Sequence, residues 1–325
     1  MYKKLLKPLR GCVAAALLAT LVFTAGCGLI GAEKNAVEAS PAPTLDTIAA
    51  EGYRGENDEE PEASQTFREA TLYFVSDEGF VVPVKKLIPW EEGIAKACLG
   101  YMTSTPDNDR AAAELGLKTV LPAETRVSIA ISNGVASVDL SGMTVLASAE
   151  EESNMLTAVV DTLTEFATVE RVTVTVNGSG GTMANGTPLP KEQPARPLNV
   201  ERTELEASAG AVAGTLFFPN SGGALTIPVT RYFSSSPSLY TKVNALIAGP
   251  KSPALRCCFP QGTLLLGATA ENGVVTVNLS EDFAAVAETA GLYTLARETL
   301  LLTLSEDMSV KKLVIQINGA EYMPE

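Results

Sequence analysis

Histidine is absent from all 325 residues. That removes the side chain used most often as a general base and as a zinc ligand, so Ser-His-Asp and Cys-His nucleophiles, HExxH metalloproteases and Cys2His2 sites are excluded. Positive charge is scarce as well: 24 Lys and Arg stand against 38 Asp and Glu, a formal −14. Nucleic acid is bound by cations that displace phosphate counterions, so no nucleic-acid partner is expected. The five cysteines are too few and too irregularly placed for a disulfide framework. Apolar residues are plentiful, 46% of the chain with only 19% charged, enough for two buried cores at a prior of roughly 150 residues per domain.

Lys3, Lys4, Lys7 and Arg10 precede an apolar run from Cys12 to Phe23, then Thr24, Ala25 and Gly26 before Cys27. A basic flank, a short apolar segment and a small-residue end make a secretory signal. The run falls well short of the ~20 residues that a membrane-spanning helix needs. The Ala-Gly-Cys ending resembles the bacterial lipobox, although Thr24 stands where Leu is usual. Cleavage would then leave residues 1–26 as the signal peptide and Cys27 as a lipidated (palmitate-type) N-terminus; the alternative is an ordinary signal with an incidental cysteine. With the four leader bases gone, 20 basic residues against 38 acidic ones leave −18. Residues 27–69 are rich in Ala, Pro, Ser and Glu, with Glu56, Asp58, Glu59, Glu60 and Glu62 close together. They read as an acidic tether with an r.m.s. reach of roughly 35 Å.

The remainder is duplicated. Thr71-Leu72-Tyr73-Phe74 matches Thr215-Leu216-Phe217-Phe218, and Asn133 to Ser141 matches Asn272 to Ser280 with six of nine residues identical. The stretch from Thr162-Leu163-Thr164-Glu165 to Val176-Asn177-Gly178 matches that from Thr303-Leu304-Ser305-Glu306 to Ile317-Asn318-Gly319. Two domains are expected, 70–180 and 214–320, with 181–213 as a linker by its Gly, Pro and charge.

Each copy carries the same pattern. An aromatic strand over 71–75, extended by or paired with Phe80 to Val84, precedes a helix read from Ile94, Ala97, Cys98, Tyr101 and Met102 or from Leu239, Val243, Leu246 and Ile247. Asn133-Gly134 and Asn272-Gly273 are type I′ hairpin signals. Met155, Leu156, Val159, Val160 and Leu163 mark a second helix, with Ser153 as its expected N-cap; Leu292, Leu295, Thr299 and Leu302 match it. Alternation at Val172, Val174 and Val176, and at Leu313, Ile315 and Ile317, closes each copy. The fold class is therefore α+β: two tandem β-α-β-β-α-β domains, helices packed on one face of a small, mostly antiparallel sheet.

These motifs, with Leu121-Pro122 and Phe259-Pro260 before a strand, resemble the GerMN domain. Copy two keeps the family's Leu-x-x-Gly-Pro (Leu246, Gly249, Pro250), whereas copy one departs at Leu99-Gly100-Tyr101-Met102. Tandem copies behind a lipobox resemble the family's sporulation and germination lipoproteins. The resemblance implies a non-catalytic scaffold or assembly protein on the outer face of the cytoplasmic membrane. It would be held there by its lipid and partnered by envelope or sporulation-channel proteins, in support of a ring or channel. A peptidoglycan- or carbohydrate-binding lipoprotein is the alternative, and a wall hydrolase with paired carboxylates at a cleft a further one.

Sharper chemical motifs have plainer readings. Ser309-Val310-Lys311-Lys312 has the Ser-x-x-Lys spacing without its companion motifs and reads as a turn before a strand. Gly178-Ser179-Gly180-Gly181 lacks a following Lys-Ser/Thr and reads as the linker's start. Asp107-Asn108-Asp109 lacks the glycine and glutamate of a calcium loop and reads as a polar turn near a helix end. Asp139 faces Asn278 in the other copy, which disfavours a shared catalytic carboxylate and favours turn bonding. Cys98 reads as a core thiol, and Cys257 and Cys258 have no counterparts in copy one. No cofactor or metal is expected. Of Tyr73, Phe74, Phe217 and Phe218, half should point into the core, leaving Tyr73, Phe217 and the lone Trp90 as candidate contact residues. Cys27→Ala should release the protein from the membrane fraction on cell fractionation; unchanged fractionation would show that Cys27 does not anchor it.

Overall fold

The computed structural model describes residues 67–89, 93–201 and 210–323. The first repeat opens with β1 (Phe67–Ser76) and β2 (Val81–Pro89), paired antiparallel with Tyr73 opposite Pro83. α1 (Ile94–Tyr101), α2 (Pro106–Glu114) and the two-residue β3 (Leu117–Lys118) follow. β4 (Arg126–Ser132) and β5 (Val135–Ser141) form a hairpin in which Asn133 and Gly134 take φ of 51° and 76°, the positive pair that a type I′ turn requires. α3 (Ala149–Thr164) then carries the chain back to β6 (Arg171–Val176), parallel to β5.

The second repeat has β7 (Val212–Pro219) and β8 (Thr226–Phe233), with Phe217 opposite Pro228, then α4 (Leu239–Ile247). The hairpin of β9 (Leu265–Glu271) and β10 (Val274–Leu279) is followed by a 3-10 segment, Glu281–Glu288, and α5 (Leu292–Ser305). β11 (Lys312–Ile317) and β12 (Ala320–Glu321) end it. The α+β class and the duplication both hold, as do the expected hairpins and the β5–α3–β6 crossover.

The strands of each repeat divide between two small sheets, β2-β1-β3 and β4-β5-β6 in the first, β7-β8 and β12-β11-β10-β9 in the second. The cause is local. The Tyr73 N–H donates to Thr162 Oγ1 of α3 at 3.1 Å, and the Phe217 N–H to Thr303 Oγ1 of α5 at 3.0 Å. A helix hydroxyl thus occupies the strand edge at Tyr73 and at Phe217; in the first repeat the two-residue β3 pairs farther along that edge, at Val75 and Ser76. Because Tyr73 and Phe217 aim their N–H groups away from the hairpin partner, Pro83 and Pro228 sit opposite them without depriving the ladder of a bond. Leu72, Phe74, Leu216 and Phe218 of the same strands are buried in the cores.

Two expectations change. The N-cap of α3 lies five residues before Ser153: Ser148 accepts the Glu151 N–H, and Glu150, Glu151 and Glu152 fill a first turn whose exposed N–H groups favour acids. Asp107-Asn108-Asp109 is not a turn at a helix end but the first turn of α2, with Pro106 at N1 and Thr105 accepting the Asn108 N–H. α2 sits where copy one departs from the Gly-Pro motif.

The compositional linker is an ordered strap as far as Glu201. Gln193 exchanges backbone bonds with Val172 of β6. Asn185 and Thr187 donate to the buried Glu152; burial opposes ionisation there, but these donors outweigh it and hold the carboxyl below its usual range. Asn199, in the left-handed region at φ 46°, accepts the Val81 N–H and donates to the carbonyls of Val81 (2.8 Å) and Pro228 (2.7 Å). One amide therefore ties β2 of the first repeat to β8 of the second. Glu201 ends the strap in a buried ion pair with Arg231, whose other nitrogens bond the carbonyls of Ala245 and Gly249. Asn199→Asp keeps the size and backbone tolerance but replaces the donating amide. It should lower stability by about 3 kcal/mol in urea unfolding, the scale of two unsatisfied buried carbonyls; a change below about 0.5 kcal/mol, typical of neutral surface sites, would show the bridge to be idle.

Candidate functional site

A cleft of about 510 Å³ lies between the repeats, with the strap residues Ala195–Leu198 along it. Its walls are equivalent faces of the two copies: Thr71 and Thr215, Tyr73 and Phe217, Pro83 and Pro228, Glu165 and Glu306. The same patch presented twice to one cavity is the isologous arrangement of a two-fold dimer, here within one chain. Tyr73 and Phe217 reach it because they stand on the strand face opposite the core residues Leu72, Phe74, Leu216 and Phe218.

Shape repeats across the cleft; charge does not. Tyr73 donates its hydroxyl to Glu165 Oε1 at 2.7 Å, whereas Phe217 has no hydroxyl to offer Glu306. Burial, then the Glu165 bond, suppresses the acidity of Tyr73. Asp161 of α3 has Leu302 as its counterpart. It is only 3% exposed, and its Oδ1 accepts the Arg196 N–H at 2.9 Å. Burial pushes its carboxyl up to about 7, against the Arg196 N–H and charge, with Glu165 adding to the rise. Burial also raises Glu306, opposed by Lys242 and reinforced by Asp307. Lys242 is 2% exposed and is paired with Asp307. The cleft thus holds an acid that exchanges its proton near neutrality, two rim carboxylates, and Arg196 as the one cation among its lining residues.

The structure brings Tyr73 and Phe217 together in this cleft; Cys27 and Trp90 lie outside the described residues. Asp139 bonds the Gly178 N–H (2.6 Å) and the Thr175 hydroxyl, and Asn278 bonds the Gly319 N–H, so both hold the closing Asn-Gly turn. Cys98 and Cys258 are buried free thiols, pushed by burial up to about 12 and about 11, and Cys257 is a half-buried free one. Ser309 to Lys311 form the connection into β11, and Gly178 the turn after β6. Among the described residues no group of three or more Cys, Asp or Glu is placed to hold a metal ion. Asp161, Arg196, Glu165 and Glu306 escaped the sequence reading. The repeated acid closing Thr-Leu-Thr-Glu and Thr-Leu-Ser-Glu was the available signal for the last two.

Residues 71–181 and 215–323 each match the family model described as Germane, sporulation and spore germination. The chain belongs to the Germane family. The spore germination protein GerM of Bacillus subtilis (strain 168) is 25% identical to it, over 94% of this chain and 90% of that protein. The solved tandem GerMN domains of the sporulation protein GerM from Bacillus subtilis share its fold, with a TM-score of 0.57 and 23% identity over 78% of this chain and 92% of that one.

A carboxyl raised on folding adds stability below its unfolded value and loses it as pH climbs through the folded one. Asp161→Asn keeps an acceptor for the Arg196 N–H and cannot ionise. It should raise Tm by about 5 °C or more at pH 8, with the gain shrinking towards zero at pH 4. Glu152, depressed on folding, loses its contribution as pH falls in both proteins and cancels in the difference. Equal Tm differences at the two pH values would show that Asp161 is not buried as described.

Proposed function

We propose that this chain is a lipid-anchored protein of the outer face of the cytoplasmic membrane, scaffolding the assembly of a sporulation ring or channel, or of a related envelope complex. Membership of the Germane family supports the sporulation and germination setting. The basic, apolar, small-residue leader ending at Cys27 supports the anchor, and the acidic stretch to residue 69 supplies reach from the bilayer. The observation that carries the scaffold reading is the fusion of two like domains by an ordered strap, with the same face of each turned to one cleft. A rigid double module with a preformed cleft suits docking a protein segment, with Tyr73 and Phe217 as contact residues. In this reading the cleft binds its partner and transforms nothing.

A second reading, peptidoglycan or carbohydrate binding, draws on the same aromatic rings beside carboxylates. Retention of proteins from detergent-solubilised envelope, set against co-sedimentation with purified wall, separates the two. Discrete protein partners with no wall retention are expected. Retention on wall would favour the carbohydrate reading, and release of soluble wall fragments would make the cleft a hydrolase site; either sinks the scaffold.

A further inference from the structure

Asp161 is a buried acid with one oxygen left over. Its Oδ1 takes the Arg196 N–H, while among the described residues Oδ2 has no hydrogen-bond partner, and the residue lines the inter-repeat cleft. Among the described residues the unpartnered side-chain oxygen sealed from water is Glu78 Oε2, so Asp161 Oδ2 keeps contact with the cleft, and a donor entering there meets a free acceptor on a side chain that is otherwise buried. The Arg196 guanidinium makes no hydrogen bond to Oδ2: its Nη2 donates to Gln193 Oε1 at 3.2 Å, and it acts on Asp161 through its charge. Glu165 and Glu306 stand at the exposed rim, and Phe217, Pro83, Pro228 and Leu198 supply apolar wall.

We infer that the cleft receives a primary ammonium on an aliphatic stem, a lysine side chain presented by a protein partner. The ammonium bonds Asp161 Oδ2 between the two rim carboxylates, and the stem lies along Phe217 and the prolines. Lysine fits better than arginine, because a guanidinium seeks both oxygens of a carboxylate in a fork and Asp161 has one to give. A volume of about 510 Å³ admits one long side chain with its flanking backbone. The net charge of the chain, −14, favours encounter with a basic partner, and the three lining carboxylates against one cation give the cleft the same sign. The protein origin of the lysine rests on the scaffold reading; the chemistry of the site does not.

The test is saturation-transfer NMR on the full chain in detergent micelles with Nα-acetyl-lysine methylamide as probe. Its Nε-acetylated form, the arginine analogue and a muropeptide bearing a free amine serve as comparisons. The lysine probe should receive saturation along its methylenes. The Nε-acetyl form should not, and Asp161→Asn, which removes a buried ionisable group and should fold well, should weaken the probe at least tenfold. Glu306→Gln should weaken it by a smaller factor. Equal transfer to the Nε-acetyl probe, unchanged binding by Asp161→Asn, or preference for the muropeptide would overturn the inference. Envelope proteins still retained by Asp161→Asn would overturn it too and leave the scaffold reading standing. Asp161-dependent probe binding with no envelope protein captured would support the ammonium site and overturn the scaffold.

Discussion

The arrangement of the two repeats depends on the side chain of Asn199. Standing in the left-handed region, where asparagine is tolerated better than most residues, it satisfies both backbone groups of Val81 and the carbonyl of Pro228. These lie on β2 and β8, the strands whose hairpin partners carry Tyr73 and Phe217. The strands that give the cleft its walls are therefore joined by one amide, supported by the strap's backbone bonds to Thr230 and by the Asn220–Glu78 contact. The strap on which Asn199 rides is fixed in turn by three acids, Glu152, Asp161 and Glu201, which accept its N–H groups or hold its end against Arg231. An apparently featureless stretch is ordered because buried carboxylates need donors and the strap's backbone supplies them.

That dependence explains what could be read from the sequence. Asn133-Gly134 and Asn272-Gly273 announce their hairpins because a positive φ pair is a demand of the local backbone, met by few residue types. The apolar spacing of α3 and α5 reports one buried face, and the duplicated motifs report which positions matter to both copies. α2 was missed because its buried face is little more than Ala112, and its only signals are Thr105 and Pro106 at the cap. The strap has the composition of a linker because its order comes from partners many residues away. The outward placing of Tyr73 and Phe217 followed from strand alternation, but their meeting in one cleft needed the relative pose of the repeats. Asp161 stood unnoticed beside the apolar positions of α3; nothing local distinguishes an acid that will be buried from one that will be solvated.

The duplication is uneven in an informative way. Shape-determining residues recur in both repeats: the threonine hydroxyls that cover strand edges, the opposed prolines and the turn-holding Asp139 and Asn278. Charge-determining residues do not. Asp161 has Leu302 as its repeat counterpart, Tyr73 with its hydroxyl has the bare ring of Phe217, and Lys242 pairs with Asp307 in the second repeat. A two-fold frame thus encloses a site with a defined polarity, which a ligand with two unlike ends can exploit.

Few direct bonds join the repeats beyond those of Asn199 and the contact of Asn220 with Glu78. Beyond these polar bonds, the buried apolar residues of the two repeats belong to one continuous cluster. With the strap bonded to the first repeat through Gln193 and to the second through Asn199 and Glu201, each half sees the other at an effective concentration of order millimolar or above. Gene fusion relieves the contact surface of the need for strength, and leaves its residues free to diverge towards recognition.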